Sequence, residues 1–306
     1  MESDMSINKI FMAEDGPEFS RIILGFWRAV EWEMSSQKSL NFIKQSIDLG
    51  ITTFDHADIY GKFSCEELFG DAVKIEPSIK DKIEIVTKCG IVFTCDKRPQ
   101  YKFHYYDTSR EHIIESVDNS LKNLRVDCID LLLIHRADPF MNADDTAQGL
   151  SEVIESGKVK YAGVSNFSAH QFDLLQSRLD FQLVTNQIEF SALNMTALAD
   201  GTIDQCQKYG ISPMAWSPLA GGKLFSQNTD QTSRLHKLFS ELKDKYNAEP
   251  DQLALAWIIS HPSNIFPVIG SGKIERVTSA AESCKISLSK EDWFKIWTAS
   301  MGHEVP

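Results

Sequence analysis

The sequence predicts an α/β protein folded as a (β/α)8 TIM barrel, one domain over residues 1–306, with an N-terminal β-hairpin and extra helices before the eighth strand and at the C-terminus. Three observations predict it. Short β-branched apolar runs alternate with segments of helical periodicity almost from end to end. Several runs are apolar at consecutive positions, as in Leu131-Leu-Leu-Ile134, which suits parallel strands covered on both faces. Eight β-α steps in 306 residues fit a closed barrel better than an open dinucleotide-binding sheet. The G-x-G-x-x-G pattern of such a sheet is missing, since no third glycine follows Gly270-Ser-Gly272 at the required place.

The elements follow in order. Ile7 to Met12 and Glu18 to Leu24, joined around Asp15-Gly16-Pro17, read as a hairpin that can plug the bottom of the barrel. Arg21 to Trp27 is the first barrel strand. After Ser35, the residues Leu40, Ile43 and Ile47 recur at helical spacing, and Gly50 supplies the stop. Thr52 to His56 and Ile83 to Lys88 are the next two strands. Thr108-Ser-Arg-Glu111 matches a capping box and opens a helix whose apolar face is Ile113, Val117, Leu121 and Leu124. Cys128 to His135 follows, then a helix capped by Gly157, then Lys160 to Asn166. Ser168-Ala-His-Gln171 is a second capping box, leading to the strands Leu183 to Phe190 and Ile211 to Ser217. An insertion with two helical patterns, including Leu253, Ala256 and Trp257, precedes the last strand, Phe266 to Gly270.

Composition narrows the function. The charge is -12, from 43 acidic against 31 basic residues, so the surface repels phosphate backbones and anionic membranes. Nucleic acid and membrane are excluded as main partners, which leaves small-molecule chemistry in a monomer or small homo-oligomer. The six cysteines (65, 89, 95, 128, 206, 284) show no C-x-x-C and no histidine at zinc spacing, so they read as reduced thiols with no metal. Met1-Glu-Ser-Asp-Met-Ser lacks a secretory pattern and no apolar run approaches the ~20 residues of a membrane span, so the expected location is cytoplasmic.

In a barrel of this type the active site forms at the C-terminal strand ends. Polar residues ending apolar runs are therefore the candidates: Asp55, Lys88 and His135, with Tyr60 five residues after Asp55. A neighbouring ammonium stabilises phenolate, so Lys88 is expected to bring Tyr60 down from its ordinary pKa of ~10 towards working pH. Asp55 can hold Lys88 charged, and His135 can hydrogen-bond a carbonyl oxygen as charge develops there. Trp27, ending the first strand, could line a substrate cavity with His135. The aromatic loop Gly90 to Asp107, with Phe93, Tyr101, Phe103, Tyr105 and Tyr106, is the expected source of specificity. The other histidines (56, 104, 112, 170, 236, 261, 303) read as surface or hydrogen-bonded structural groups, and Trp257, Trp293 and Trp297 as packing residues.

The motifs Gly50-Ile-Thr-Thr-Phe-Asp-His-Ala-Asp-Ile-Tyr-Gly61, the strand-end Lys88, Asp130-Leu-Leu-Leu-Ile-His135 and Gly157-Lys-Val-Lys-Tyr-Ala-Gly-Val-Ser-Asn166 occur in the order of one family. From Arg21 to Ser287 the chain resembles the aldo-keto reductase superfamily, and within it a short-tailed bacterial-type subgroup of oxidoreductases. The resemblance implies NAD(P)H-dependent reduction of an aldehyde or ketone, with Tyr60, Lys88, Asp55 and His135 as the catalytic tetrad. It further implies that Ser165, Asn166 and Gln187 hold the nicotinamide carboxamide and that Trp216 stacks on the ring. Ser217, Leu219, Gly221 and Lys223 would strap the pyrophosphate, and Gly270, Ser271, Lys273 and Arg276 would form the adenosine-phosphate end. Arg276 stands at the arginine that contacts the 2′-phosphate, so NADPH is expected over NADH. Two departures from the family pattern are Gly270, where many members carry a lysine, and Ala280, near an adenine-binding asparagine.

Other classes stand beside this reading. A cofactor-binding regulatory or interaction subunit with slow turnover would keep the same residues. A Schiff-base aldolase would use Lys88 but needs no tyrosine, and a glycosidase needs a second carboxylate that no other strand end offers.

Overall fold

The computed structural model describes residues 9–305. The expected hairpin start at Ile7, and the segment Met1 to Ser6, lie outside the described residues. The hairpin itself pairs β1 (Lys9–Phe11) with β2 (Glu18–Ser20). Its second arm ends at Ser20 rather than Leu24, because the chain turns there to become the first barrel strand. The barrel strands are β3 (Ile23–Gly25), β4 (Thr53–Asp55) and β5 (Glu84–Cys89); after an excursion through β6 (Ile91–Val92) and β7 (Tyr105–Tyr106) come β8 (Ile129–Ile134), β9 (Val159–Ser165), β10 (Asn186–Glu189), β11 (Met214–Trp216) and β12 (Phe266–Ile269). They close in the order β10-β11-β12-β3-β4-β5-β8-β9, every pair parallel.

Each expected run overlaps one of these strands; β5 runs on to Cys89 and β9 starts at Val159, one residue outside the expected bounds, and the other six strands are shorter than their runs. The ladders are brief: β3 meets β4 only at Leu24 with Phe54 and Gly25 with Asp55. Residues beyond the ladder serve other partners. Arg21, expected within the first strand, instead donates to the carbonyls of Ile259 (2.9 Å), Asn264 (3.1 Å) and Ile265 (2.7 Å). Burial pushes its guanidinium down to about 10, and the carbonyl dipoles rather than a carboxylate offset that desolvation. With the bond from Ser212 N to Met12 O (2.7 Å), Arg21 ties the hairpin region to the N-terminal ends of the strands.

Helices α1 (Ser36–Asp48), α2 (Cys65–Ile75), α3 (Arg110–Leu124), α4 (Ala143–Glu155), α5 (Ala169–Gln176), α6 (Thr202–Tyr209), the short α7 (Lys223–Ser226), α8 (Asp230–Tyr246), α9 (Pro250–Ile259), α10 (Ile274–Glu282) and α11 (Lys290–Met301) complete the chain. Ser35 caps α1, and Ser168 forms a capping box with Gln171. The other expected box is corrected: α3 is capped by Ser109, which accepts from His112 N, while Glu111 turns to Arg110. Thr108 is buried, and its carbonyl accepts the Thr146 hydroxyl at 2.7 Å, so it belongs to the packing beneath the cap. The extra pair α8 and α11 is stapled by Asp292, which accepts from Tyr246 at 2.6 Å and pairs with Lys245. Trp257 stacks between Phe190 and Trp293, and the two tryptophans exchange Nε1 to carbonyl bonds of 3.1 and 3.0 Å. Among the described residues no helix is long and apolar enough to cross a membrane, and no group of three or more ligating side chains could hold a metal ion.

Candidate active site

Alternation within the strands aims the ionisable groups inward. In β4, Phe54 faces the outer apolar layer and Asp55 the barrel axis; in β5, Thr87 donates outward to Glu66 (2.7 Å) and Lys88 points in. Lys88 is fully buried, and its ammonium donates to Asp55 Oδ1 and Oδ2 (both 2.8 Å), to the His56 carbonyl (2.6 Å) and to the Tyr60 phenol oxygen (3.1 Å). Tyr60 reaches this point because the chain turns sharply after it, with Gly61, Lys62 and Phe63 all left-handed at φ 57°, 55° and 65°. Any Cβ at position 61 would lie 2.5 Å from Val30 Cγ2 and 2.7 Å from Cys65 Sγ, so only glycine fits. The ring of His135, just past β8, meets Tyr60 edge to face at 5.7 Å.

The electrostatics correct one expectation. Burial holds the Tyr60 phenol above its ordinary 10.0, outweighing the opposing pull of Lys88. Tyr60 is therefore a protonated acid throughout the neutral range. Lys88 is itself held above its ordinary range: burial opposes its charge, and Asp55 and Tyr60 overcome that opposition. His135 is pushed well below 6.5 by burial, then by Lys88 and Arg136, so the imidazole is neutral. Its Nδ1 is buried without a partner.

A second correction concerns His56. It is neither at the surface nor hydrogen-bonded: its ring is fully buried against Phe26 (5.0 Å) and Phe69 (4.6 Å), and both ring nitrogens lack partners. Desolvation, with Lys88 adding, lowers its pKa to about 3. Asp58 turns away from Asp55, accepting from Ile59 N (2.6 Å) and lining a separate cavity of about 20 Å³ with Glu66 and Arg98.

A groove of about 1300 Å³ runs across this end of the barrel. It brings together Asp55, Tyr60, His135, Ser165, Asn166, Gln187, Trp216, Ser217, Leu219, Gly221, Gly270, Ser271, Arg276 and Trp27. The polar set is interlocked. Gln187 donates to Asp55 Oδ1 (2.8 Å), Asn166 to Ser165 Oγ (2.7 Å), and the Trp216 indole to Asn166 Oδ1 (2.9 Å). Asn166 (φ 58°) and Ser217 (φ 50°) sit in the left-handed region; the bonds to Ser165 and Trp216 hold the first, and the Ser217 carbonyl accepts from Ala220 N at 2.7 Å. An ordered amide and hydroxyl set beside a fixed, half-exposed indole fits a nicotinamide carboxamide and ring.

Three expected residues stand apart. Lys88 lies beneath the groove and acts on it through Asp55 and Tyr60. Lys223, the first residue of α7, and Lys273, the cap residue before α10, are both exposed and do not line it. Of the aromatic side chains in the Gly90 to Asp107 loop, only Phe93 reaches the groove, beside Ile91 of the same loop; Tyr101 lines the small cavity, and Phe103, Tyr105 and Tyr106 are exposed. Sequence reading passed over Arg28 and Arg136, which also line the groove. Each directly follows a residue it had singled out, Trp27 and His135.

The family model for the aldo/keto reductases matches residues 21–300. The chain belongs to the aldo/keto reductase family. Among relatives, oxidoreductase YcsN of Bacillus subtilis is 47% identical and oxidoreductase YdhF of Escherichia coli 46%, each over 98% of this chain and 100% of its own. A 6-dehydroglucose reductase of Agrobacterium fabrum is 41% identical over 95% of this chain and 97% of its own. A thermostable aldo-keto reductase solved with the inhibitor epalrestat superimposes with a TM-score of 0.80 at 25% identity, covering 95% of this chain and 99% of that one. This aldo-keto reductase is thus an NAD(P)H-dependent oxidoreductase of carbonyl compounds.

Proposed function

We propose that this chain, as one reductase domain, reduces aldehyde or ketone carbonyls to alcohols with NADPH, and that Tyr60 gives the proton. The bond from Lys88 to the Tyr60 oxygen carries this reading. Because the ammonium donates and the phenol accepts, the phenol's own proton is left for the groove. Lys88, held by Asp55, offsets the negative charge left on the phenol oxygen as that proton departs. Neutral His135 orients the substrate carbonyl by donating from Nε2, the ring nitrogen not sealed in the protein. When bound, the nicotinamide supplies the hydride that reduces the carbonyl carbon. Ser165, Asn166 and Gln187 orient its carboxamide, and Trp216 shields one face of its ring. The backbone around Ser217, Leu219 and Gly221 takes the pyrophosphate. Gly270, Ser271 and Arg276 take the adenosine phosphate, which favours NADPH over NADH.

Two variants test this. Tyr60→Phe is expected to bind NADPH nearly as the wild type does and to lose reduction of a model aldehyde; wild-type kcat would sink the proton assignment. Arg276→Ala should raise KM for NADPH more than for NADH, and equal rises would remove the 2′-phosphate contact. The panel of carbonyls should include a hexose oxidised at C6, since one relative is named for reducing 6-dehydroglucose.

A further inference from the structure

Two guanidiniums in the substrate part of the groove have no role in the scheme above. Arg28 lies over the Trp27 indole at 5.1 Å and Arg136 over the Trp216 indole at 5.8 Å. Neither makes an ion pair or a side-chain hydrogen bond among the described residues. Of the other arginines, Arg110, Arg125 and Arg178 pair with carboxylates and Arg21 and Arg234 with backbone carbonyls, while Arg98 rests on the Phe63 ring outside the groove and Arg276 already has its place at the phosphate end. In a protein with 43 acidic residues, two unpaired arginines on one cavity wall are not an effect of average charge.

The carboxylates of the groove leave them free. Asp55 is taken by Lys88 and Gln187, and Asp251 accepts from Ser279 at 2.7 Å. Glu31 also lines the groove, and among the described residues no ion pair joins it to Arg28, Arg136 or Lys62. Arg136 also lies close enough to the reacting groups for its charge to act on both His135 and Tyr60. A guanidinium resting on an indole keeps its planar edge of donors free and loses little freedom on binding, which is the arrangement that grips a carboxylate through two hydrogen bonds.

We infer that this groove selects a carbonyl compound that also carries a carboxylate, with Arg136 as its principal contact and Arg28 as the second. The inference rests on the reductase reading above. Arg28, Lys62 and Arg136 outnumber Glu31 on this wall, and that excess of cationic donors argues for an anion over a neutral polyol.

The test compares 4-carboxybenzaldehyde with methyl 4-formylbenzoate. The ester is the more electrophilic aldehyde, so intrinsic reactivity works against the expected result. Wild type should favour the carboxylate by about 10- to 100-fold in kcat/KM, the range of a charge-assisted contact. High salt should shrink that preference. Arg136→Met should bring the ratio near one, Arg28→Met should lower it in part, and Arg136→Lys should keep part of it. A wild-type ratio at or below one, or a ratio unchanged in the Arg28→Met/Arg136→Met double variant, overturns the inference. So does an Arg136→Met variant whose main defect is a raised KM for NADPH. If neither aldehyde is reduced with either nicotinamide, the reductase reading fails on its own. Calorimetry of 4-(hydroxymethyl)benzoate against its methyl ester then decides the subsite. Tighter carboxylate binding that is lost in Arg136→Met supports it, and equal binding of the two overturns it.

Discussion

The Lys88 ammonium touches both carboxylate oxygens of Asp55 at 2.8 Å, and neither side chain has more than 4% of its surface in water. A pair so enclosed is held by mutual compensation. Breaking it leaves an unpaired buried charge, which costs about 3 to 5 kcal/mol. Lys88→Met is therefore expected to lower stability in urea by that amount and to abolish reduction. The double variant Asp55→Leu/Lys88→Met should regain most of the stability and none of the activity. A double variant no more stable than Lys88→Met would mean that the pair is not what the substitution breaks.

Tyr60 sets the pH dependence of the reaction. Its phenol is held above 10.0 by burial, so the acid form is present throughout the neutral range. Carbonyl reduction should stay level across neutral pH and fall only in alkaline solution. Alcohol oxidation, which needs the phenolate as base, should rise over that same alkaline range. Rate profiles in both directions check this, and a reduction profile that breaks near neutrality would assign the proton to another group.

His56 links stability to acid. Its folded pKa is about 3 against an ordinary 6.5, so below 6.5 the unfolded chain binds a proton that the native ring refuses. Its contribution is whole above about pH 6.5 and is lost as pH falls towards 3. His56→Phe keeps an aromatic ring in the Phe26 and Phe69 cage and removes the titration. Between those limits the variant's stability curve should be shallower by about 1.4 kcal/mol per pH unit. Parallel curves for variant and wild type would show that His56 does not titrate on unfolding.

Gly272 is set by packing as well as by its place beside the phosphate end. A Cβ there would stand 2.5 Å from Trp32 Cγ, in a ring already held edge to face by Phe26 (5.0 Å) and Phe42 (5.5 Å). Gly272→Ala should destabilise by about 1 to 3 kcal/mol, as overpacked sites do. It should also raise KM for NADPH, because Ser271 is displaced with it. Adding Trp32→Leu should return part of the Tm lost, and a Gly272→Ala variant with wild-type Tm would refute the clash.

By itself the sequence determined the barrel, the order of its strands and the residues at their C-terminal ends. Those follow from local signals: consecutive apolar runs at Leu131 to Ile134, helix caps at Ser35 and Ser168, and polar residues such as Asp55 and Lys88 that end apolar runs and so mark the rim. Several things were left to the tertiary structure. Whether Lys88 or burial governs Tyr60 depends on how deeply the neighbouring strands and turns enclose the phenol, and burial wins. The fate of the cations was equally hidden. Lys223 and Lys273 turn to solvent, while Arg28 and Arg136 rest on indoles inside the groove, although all four are ordinary basic residues in a loop or at an element's end. Ser109 rather than Thr108 caps α3, and the Thr108 hydroxyl turns instead to Asp138, 30 residues along the chain. Period and capping are written within a few neighbouring residues. Desolvation, side-chain direction and free charge are settled by partners tens to hundreds of residues away, and only the closed barrel brings them together.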